Sequence, residues 1–409
     1  MILRVEKFCN NLICNTLDSV GHVDKWRKDF ITDVLWLFLS IKGRVNFLQL
    51  ERFGSYCEQR YRMHFEKEFQ FLDFNKTLVQ NAGSGKFAIG FDPSYISKSG
   101  KHTPNLGYFW SGCASKPLWG LEIGGIAAID IDNATAFHLE AVQTPNKHNF
   151  KQGANSQMDW YADIIIERSD KLRELSIYLV VDAYFSKKGF VDKVLKTKMQ
   201  VISRLRDDAD LMYLCYDAPT GKKGRRKKYD GKINLKGIRT DYFELIEQNE
   251  DQSLYCAIVY SKGLKRNVKI VYMLSNDKKK KVSHKIYFST DLEMDGLEII
   301  KYYRNRFQME FVYRDAKQHL GLEDCQARSE NKLNFHFNAS LTAVNIAKVE
   351  HWLKEPKETR GAFSMANVKT MYHNALLLQR FFDVFAIKAN SVKNPQCVNE
   401  LINFGKIAA

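Results

Sequence analysis

Hydrophobic residues in the first 80 positions recur at the spacing of α-helices. In the segment 30–41, apolar side chains return every three or four residues and therefore share one face of a helix. This segment contains Asp33 and is too short to span a bilayer. We predict a helical N-terminal domain, residues 1–80, in which this segment is a buried helix.

Two shorter helices separated by a glycine are predicted within the range 46–65. The break falls at Gly54, and basic residues follow it at Arg60, Arg62 and Lys67. A helix-turn-helix has glycine in its turn and basic residues on its second helix, so this segment is a candidate for DNA recognition. A helical hairpin that only packs the domain fits the same pattern, and both interpretations stay open.

From about residue 85 the hydrophobic pattern changes to that of β-strands. Strands are predicted at 86–91, 107–115 and 119–131, a helix at 156–173, and further strands at 175–181 and 200–205. The segment 175–181 is apolar without interruption, as in a central buried strand. Three strands, a helix and a further strand that ends in an acid predict a ribonuclease-H-like α/β core.

Between residues 216 and 290 the chain changes to short alternating segments with turns. Strands are predicted at 243–247, 253–261, 268–274 and 285–289, and basic runs lie at 221–228 and 278–281. We interpret 216–290 as an all-β insertion that divides the α/β core into the parts 81–215 and 291–355. A helical C-terminal region, 356–409, completes the predicted domain organisation.

Net charge adds a candidate partner. The chain of 409 residues carries a formal charge of +15. A surplus of this size favours nucleic acid or another polyanion, because basic side chains displace condensed counterions. The basic runs could be solvated hairpin tips, but in so basic a chain we favour contact with a DNA backbone, with Arg225 and Arg226 as candidates.

Cysteine usage and the first residues bear on the compartment. Eight cysteines are scattered without a C-x-x-C pair or a Cys/His group at zinc-ligand spacing. This distribution is typical of a reduced, cytoplasmic protein. We do not expect the segment 1–7 to be a signal peptide, because charges interrupt its apolar residues.

Two of the predicted strands each end in an aspartate, Asp92 and Asp182. Alone, Asp92 could be an ordinary turn residue, because it precedes Pro93. Asp182 alone also does not distinguish a structural acid from a functional one. Together with Glu310, they form the set of carboxylates that hard divalent cations need for phosphoryl-transfer chemistry. Other acids fit a solvated loop or another helix face and are weaker candidates: Asp207, Asp208, Asp210 and Asp315.

Glu310 lies in a segment predicted to form one helix, and its side chain shares a face of that helix with Tyr303, Arg306 and Lys317. At about 100° per residue, these four side chains fall within roughly 60° of one another. The ordinary explanation is a surface helix with an Arg306–Glu310 ion pair that contributes only a few tenths of a kcal/mol. The alternative is that this face contacts an anionic polymer, because it carries a phenol, a guanidinium and an ammonium group with a single carboxylate.

This helix face resembles a signature of DDE insertion-sequence transposases. Its four residues match the family pattern Y-x2-R-x3-E-x6-K without a gap or a substitution. The segments 91–101 and 181–185, which contain Asp92 and Asp182, resemble the first and second aspartate blocks of the family. The long separation between Asp182 and Glu310 holds the predicted β insertion, as the resemblance requires. The similarity spans residues 85–350 and gives no signal for the N-terminal domain.

The resemblance implies a transposase that binds the ends of its element and catalyses metal-dependent strand cleavage and strand transfer. It implies a cut-and-paste route, through a hairpin at the strand end. Asp92, Asp182 and Glu310 would be the catalytic and metal-binding residues, with two Mg²⁺ ions that Mn²⁺ can replace. We expect contacts to DNA from the other residues of the signature and from nearby basic residues: Tyr303, Arg306, Lys317, Lys98, Lys101, Arg225 and Arg226.

The implied partners are double-stranded DNA, as terminal repeats and as target, and a second copy of the chain in a homodimer on DNA. No membrane partner is expected, and the implied location is the bacterial cytoplasm, in association with the nucleoid. Two rival functions stay open. One is another ribonuclease-H-like nuclease, and the other is a catalytically silent, transposase-derived DNA-binding protein. A serine or tyrosine recombinase does not fit, because the tyrosines lack the Arg/His cluster that would activate such a nucleophile.

Overall fold

The computed structural model describes residues 4–21, 23–146, 156–216, 226–275, 283–354, 358, 360–387 and 395–407. The N-terminal region is helical, as predicted. Its helices are α1 (Arg4–Val20), α2 (Lys25–Ser40), α3 (Phe47–Phe53), α4 (Glu58–Phe65) and α5 (Phe71–Ala82). Helix α2 is buried at Phe30, at Ile31 and from Val34 to its end, which confirms the buried helix expected there.

The predicted pair of short helices is present as α3 and α4, and its basic residues lie on aromatic rings. The guanidinium of Arg62 lies 4.6 Å from the centroid of the Phe47 ring, and that of Arg60 lies 4.4 Å from the Tyr56 ring. Arg62 also pairs with Glu58. These contacts stabilise the helical pair itself, and DNA recognition by it stays a prediction.

Twelve strands form one mixed sheet in the described part of the chain. They are β1 (Phe87–Ser97), β2 (Gly107–Ser111), β3 (Lys116–Asp130), β4 (Thr135–Gln143), β5 (Tyr178–Val180), β6 (Gln200–Leu205), β7 (Leu211–Leu214), β8 (Tyr229–Lys232), β9 (Glu244–Gln248), β10 (Gln252–Ser261), β11 (Arg266–Ser275) and β12 (Ser283–Ser289). The order is β2-β3-β1-β5-β6-β12-β11-β10-β7-β8, with β4 beside β3 and β9 beside β10.

The first part of the sheet combines an antiparallel meander with parallel strands. Strand β3 pairs antiparallel with β1 and with β4, while β5 lies parallel to both β1 and β6. The expectation of three strands before the helix was incomplete, because β4 was not predicted. Its apolar run is interrupted by His138, which is buried and lies 3.0 Å from the side-chain oxygen of Asn338 in the core.

The strands predicted for the β insertion are present, and they extend the same sheet. Strand β12 pairs with β6, and β11, β10 and β7 follow outward in turn. The basic run at 278–281 and Arg225 lie outside the described residues. The division of the chain into five domains stays a prediction.

The remaining helices cover the sheet or follow it. They are α6 (Gln157–Arg173), α7 (Lys188–Leu195), α8 (Gly296–Asn305), α9 (Gln308–His319), α10 (Glu330–Lys354), α11 (Met365–Val384) and α12 (Pro395–Asn403). Helix α10 is buried over most of its length and packs on β4 and on α2. No helix in the described ranges combines the length and the apolar character needed to cross a membrane.

Candidate active site

Asp92 on β1 and Asp182 just after β5 lie at equivalent positions along two adjacent parallel segments. In the register of β1 and β5, Gly90 pairs with Val180, and each aspartate follows two residues later. Strands are about 4.8 Å apart and side chains two residues apart point to the same face. The two carboxylates therefore lie side by side.

The two aspartates differ in their local structure. The expectation that Asp92 ends its strand was wrong, because β1 continues to Ser97 and Pro93 pairs opposite Gly124 on β3. Asp182 does follow its strand, and its carboxylate accepts a hydrogen bond from the Tyr184 amide at 2.9 Å. This contact caps a short 3₁₀ helix and fixes the Asp182 side chain just beyond the carboxyl end of the central strand β5.

The single helix predicted through residues 303–317 is interrupted. Helix α8 ends at Asn305 and α9 begins at Gln308. Across the break the amides bond three residues back, from Met309 to the Arg306 carbonyl at 3.0 Å and from Glu310 to the Phe307 carbonyl at 3.1 Å. The turn is brief, so the helical hydrophobic pattern hides it, but it puts Arg306 and Glu310 on separate segments.

Helix α9 is fixed against β1 and β3 by close contacts that need glycine in both strands. The Tyr313 hydroxyl donates to the Asp92 carbonyl at 2.7 Å. A Cβ at Gly125 would overlap this hydroxyl, and a Cβ at Gly90 would overlap the Met309 sulfur. The absence of these two side chains lets the helix approach the sheet and places Glu310 beside Asp92.

Arg306 lies between the carboxylates. Its guanidinium is 3.2 Å from Glu310 Oε1 and 3.8 Å from Asp92 Oδ1. Burial raises the pKa of Asp92 to about 7, with Asp182 and Glu310 adding repulsion and Arg306 opposing the rise. Burial also raises the pKa of Asp182, again against the effect of Arg306. Three carboxyl groups therefore share one arginine, and burial favours the protonated form of Asp92 and of Asp182.

The donor chemistry of this site fits a hard divalent cation. Asp92, Asp182 and Glu310 offer only carboxylate oxygens, which are the ligands that Mg²⁺ and Mn²⁺ prefer. As the side chains stand, no three His, Cys, Asp or Glu residues in the described ranges are close enough to hold a metal ion. Since Arg306 lies between two of the three acids, its withdrawal would be needed for them to converge on a cation.

Of the other signature residues, Tyr303 lies near the acids and Lys317 lies further along α9. The Tyr303 ring packs on Tyr287 with centroids 5.0 Å apart. Lys317 donates to the Tyr95 carbonyl at 2.6 Å and lies 3.8 Å from Glu323. Burial lowers the pKa of Lys317, and Glu323 opposes this effect.

The remaining candidates for DNA contact are dispersed. Lys98 donates to the carbonyls of Cys325 and Ala327, so its ammonium group links two loops in this conformation. Lys101 is exposed in the loop between β1 and β2, and Arg226 is exposed just before β8. A role in DNA binding stays a prediction for each of these three basic residues.

One acid beside the site was missed in the sequence. Glu122 on β3 is buried, accepts hydrogen bonds from Tyr161 and from Gln157, and contributes to the raised pKa of Asp92. Burial also raises the pKa of Glu122. A glutamate within the segment 121–129, which has no other polar side chain, was the signal that could have identified it.

A basic cleft beside Lys317 was also missed. Its volume is about 470 Å³, and its cationic and imidazole side chains come from the loop after α2, from α9 and from α11: Lys42, Arg44, Lys317, His319 and Lys369. Asp324 is the acid among the lining residues. We call this site the basic cleft. Phosphate groups match its charge.

Comparison with known proteins places the chain beside a described family. A family model described as the transposase DDE domain matches residues 131–346, which is more than half of the chain. The matched segment contains Asp182 and Glu310 and begins after Asp92. No curated protein matches the chain.

Proposed function

Because the chain belongs to the DDE transposase family, we propose that it binds the ends of an insertion sequence and cuts and joins DNA strands there. The observation that carries this proposal is the alignment of Asp92 on β1 with Asp182 just after the adjacent parallel strand β5. Glu310 lies beside them on a helix packed tightly against the sheet. After withdrawal of Arg306, these three acids could converge on the metal ions that phosphodiester chemistry uses.

We assign the first part of the sheet to a ribonuclease-H-like core. In support, the strands that carry the acids and their neighbours have the order β4-β3-β1-β5-β6, with β3 antiparallel and β5 and β6 parallel to β1. Helix α6 connects β4 to β5, and strands β7–β12 are placed on the far side of β6. Asp92 then lies in β1 just beyond its parallel pairing with β5, and Asp182 follows the carboxyl end of β5, where open α/β sheets bind ligands.

DDE transposases generally use divalent metal ions, and we assign Asp92, Asp182 and Glu310 as the residues that would hold two Mg²⁺ or Mn²⁺ ions. Bound there, the ions would supply activation of the attacking oxygen and stabilisation of the leaving oxygen. Asp92 lies near both of the other acids, since each contributes to its raised pKa. Arg306 and Tyr303 would contact the phosphates beside the scissile bond after Arg306 leaves the carboxylates.

DNA would pass from this site over Lys317 to the basic cleft. The net charge of +15 supports a long contact with phosphates. Lys42 and Arg44 are exposed at the rim of the basic cleft. We assign the protein to a homodimer on DNA, because strand transfer requires two element ends to be held together.

Cleavage and joining of a labelled duplex that carries the element's own end tests the function. Nicking at the end and a strand-transfer product are expected with Mg²⁺ and not with EDTA, and both should be lost in Glu310→Gln. Glu293→Gln is the matched control, because Glu293 is exposed just before α8. It should leave both products unchanged.

Three other outcomes contradict the proposal in distinguishable ways. Tight end binding without cleavage by the wild type would indicate a DNA-binding relic. Cleavage without a joined product would indicate another nuclease on this fold. Cleavage that persists in Glu310→Gln would mean that the active site lies elsewhere.

A further inference from the structure

An exposed aromatic surface lies on the two-stranded ribbon made by β2 and the start of β3. Tyr108 pairs with Trp119, and Trp110 is two residues further along β2, so the three side chains share one side of the ribbon. Their exposed fractions are 67% for Tyr108, 61% for Trp110 and 43% for Trp119, whereas Phe109 on the other side is buried. We call Tyr108, Trp110 and Trp119 the aromatic face.

Two rings of the aromatic face, those of Tyr108 and Trp119, are held in place although they point to solvent. The rings of Tyr108 and Trp119 meet edge to face, with centroids 5.3 Å apart. The Trp119 indole donates to the Gly100 carbonyl at 3.4 Å. Contiguous apolar surface of this kind is unfavourable in water and marks a binding surface more often than a structural need.

The chain around the aromatic face is basic. From residue 93 to residue 121 it contains three lysines and one histidine, and no aspartate or glutamate. Of these lysines, Lys101 and Lys116 are exposed. Stacking rings beside positive charges are the combination that binds unpaired nucleotides, because each base has a flat face and each phosphate a negative charge.

The aromatic face is connected to the candidate active site through β1 and β3. The Tyr95 hydroxyl donates to the Trp119 carbonyl at 2.7 Å, and the Tyr95 carbonyl accepts from Lys317 at 2.6 Å. On β3, Trp119 precedes by six residues Gly125, the partner of Asp92. That separation is about 20 Å in an extended strand.

We propose that the aromatic face stacks unpaired bases of a DNA strand that leaves the active site along β3. The inference rests on the proposed function, because it takes Asp92 to mark the cleavage position. Bases in an intact duplex are already stacked on one another, so the aromatic face selects DNA whose strands are open.

The test measures binding of a 12-nucleotide oligothymidine to the full chain in EDTA, by fluorescence anisotropy of the labelled oligonucleotide. Trp110→Ala and Trp119→Ala should each weaken binding by about fivefold or more. Trp110→Phe keeps a ring and should retain most of the affinity. Trp26→Ala is the matched control, because Trp26 is 70% exposed and lies outside the ribbon, and it should bind as the wild type does.

Three results would overturn the inference. The first is that both alanine variants bind oligothymidine as tightly as the wild type. The second is that the alanine variants lose as much affinity for a duplex of the same length as for oligothymidine. The third is a change of oligomeric state in the variant that combines Trp110→Ala and Trp119→Ala, with unchanged oligothymidine binding. This result would assign the aromatic face to contacts between copies. The assay needs no cleavage, so its failure is separate from loss of metal-dependent cutting in the Glu310→Gln experiment.

Discussion

Arg306 forms an ion pair with Glu310 at 3.2 Å across the break between α8 and α9. The same guanidinium lies 3.8 Å from Asp92, so one positive charge lies next to two of the three acids assigned to metal binding. The break makes this possible, because Arg306 ends one helix while Glu310 lies in the first turn of the next. Arg306 and a divalent cation would therefore compete for the same carboxylates.

Replacement of Arg306 should strengthen metal binding when no DNA is present. Arg306→Gln removes a positive charge about 3–4 Å from two acids, and we expect the Kd for Mn²⁺ to fall by about tenfold. Electron paramagnetic resonance of free Mn²⁺ measures this directly. The titration is done at pH 8.5, because burial raises the pKa of Asp92 to about 7 and protons would compete below that value.

Arg314→Gln provides the control for the metal titration. Arg314 is exposed on α9 and pairs with Asp315 at 3.0 Å, so its loss should not change the Kd. Mn²⁺ affinity that is unchanged or weaker in Arg306→Gln would show that Arg306 does not compete with the metal.

The contact of Tyr313 with Gly125 should control the position of Glu310. Gly125→Ala places a methyl group where the Tyr313 hydroxyl lies, so α9 must move away from β1. We expect metal-dependent nicking to fall by at least about tenfold, since a misplacement of 1 Å can reduce rates by two orders of magnitude.

Removal of the hydroxyl should partly restore the activity lost in Gly125→Ala. Tyr313→Phe alone loses the hydrogen bond to the Asp92 carbonyl, which costs about 1 kcal/mol of stability. In the double variant the overlap is smaller, so nicking should exceed that of Gly125→Ala. A double variant no more active than Gly125→Ala would show that this contact does not set the helix position.

The basic cleft should contribute to the salt dependence of DNA binding. Affinity for DNA falls as salt rises. If Lys42 contacts one phosphate, Lys42→Ser should make the slope of log affinity against log salt less steep by about 0.9. End-DNA binding between 50 and 200 mM salt gives this slope. Lys196→Ser is the control, because Lys196 is an exposed lysine at the end of α7. Equal slopes for the two variants would exclude the basic cleft from the DNA path.

The three acids could be singled out from the sequence because each has a local signal. Asp92 and Asp182 follow apolar runs in the sequence, and Glu310 stands at fixed spacing from Arg306. The break at 306–307 gave no such signal, because two residues of tighter turn barely change the spacing of apolar positions. Strand β4 was missed because polar residues interrupt its apolar run and find partners only in the folded core.

The basic cleft could not have been predicted in this way. Its residues come from the loop after α2, from α9 and from α11, which are more than 200 residues apart at their extremes and meet only through packing. Lys369 illustrates the point: in the sequence it is an ordinary helix lysine, yet it is buried and donates to the Phe38 carbonyl at 2.6 Å. Tertiary contacts decide such a role, and the spacing of apolar residues along the sequence does not reveal these contacts.

Lys369 should also make the stability of the protein depend on pH. Burial lowers the pKa of Lys369 to about 7, with Asp324 opposing the effect, whereas in the unfolded chain the pKa is 10.5. Below pH 7 both states are protonated, and the cost of burying the charge is fully present. Between pH 7 and 10.5 the unfolded chain binds the extra proton, so the free energy of unfolding rises with pH in this window.

The variant Lys369→Met removes this pH dependence and should therefore gain most over the wild type at pH 6. The gain should shrink toward pH 9.5, by at most about 1.4 kcal/mol for each pH unit crossed above 7. Urea unfolding of both proteins at pH 6, 8 and 9.5 gives the difference, and the lost bond to the Phe38 carbonyl adds only a constant offset. Lys196→Met, which alters an exposed lysine, should differ from the wild type by the same amount at every pH. If the difference in free energy of unfolding between Lys369→Met and the wild type were also the same at every pH, Lys369 would keep its ordinary pKa in the folded protein.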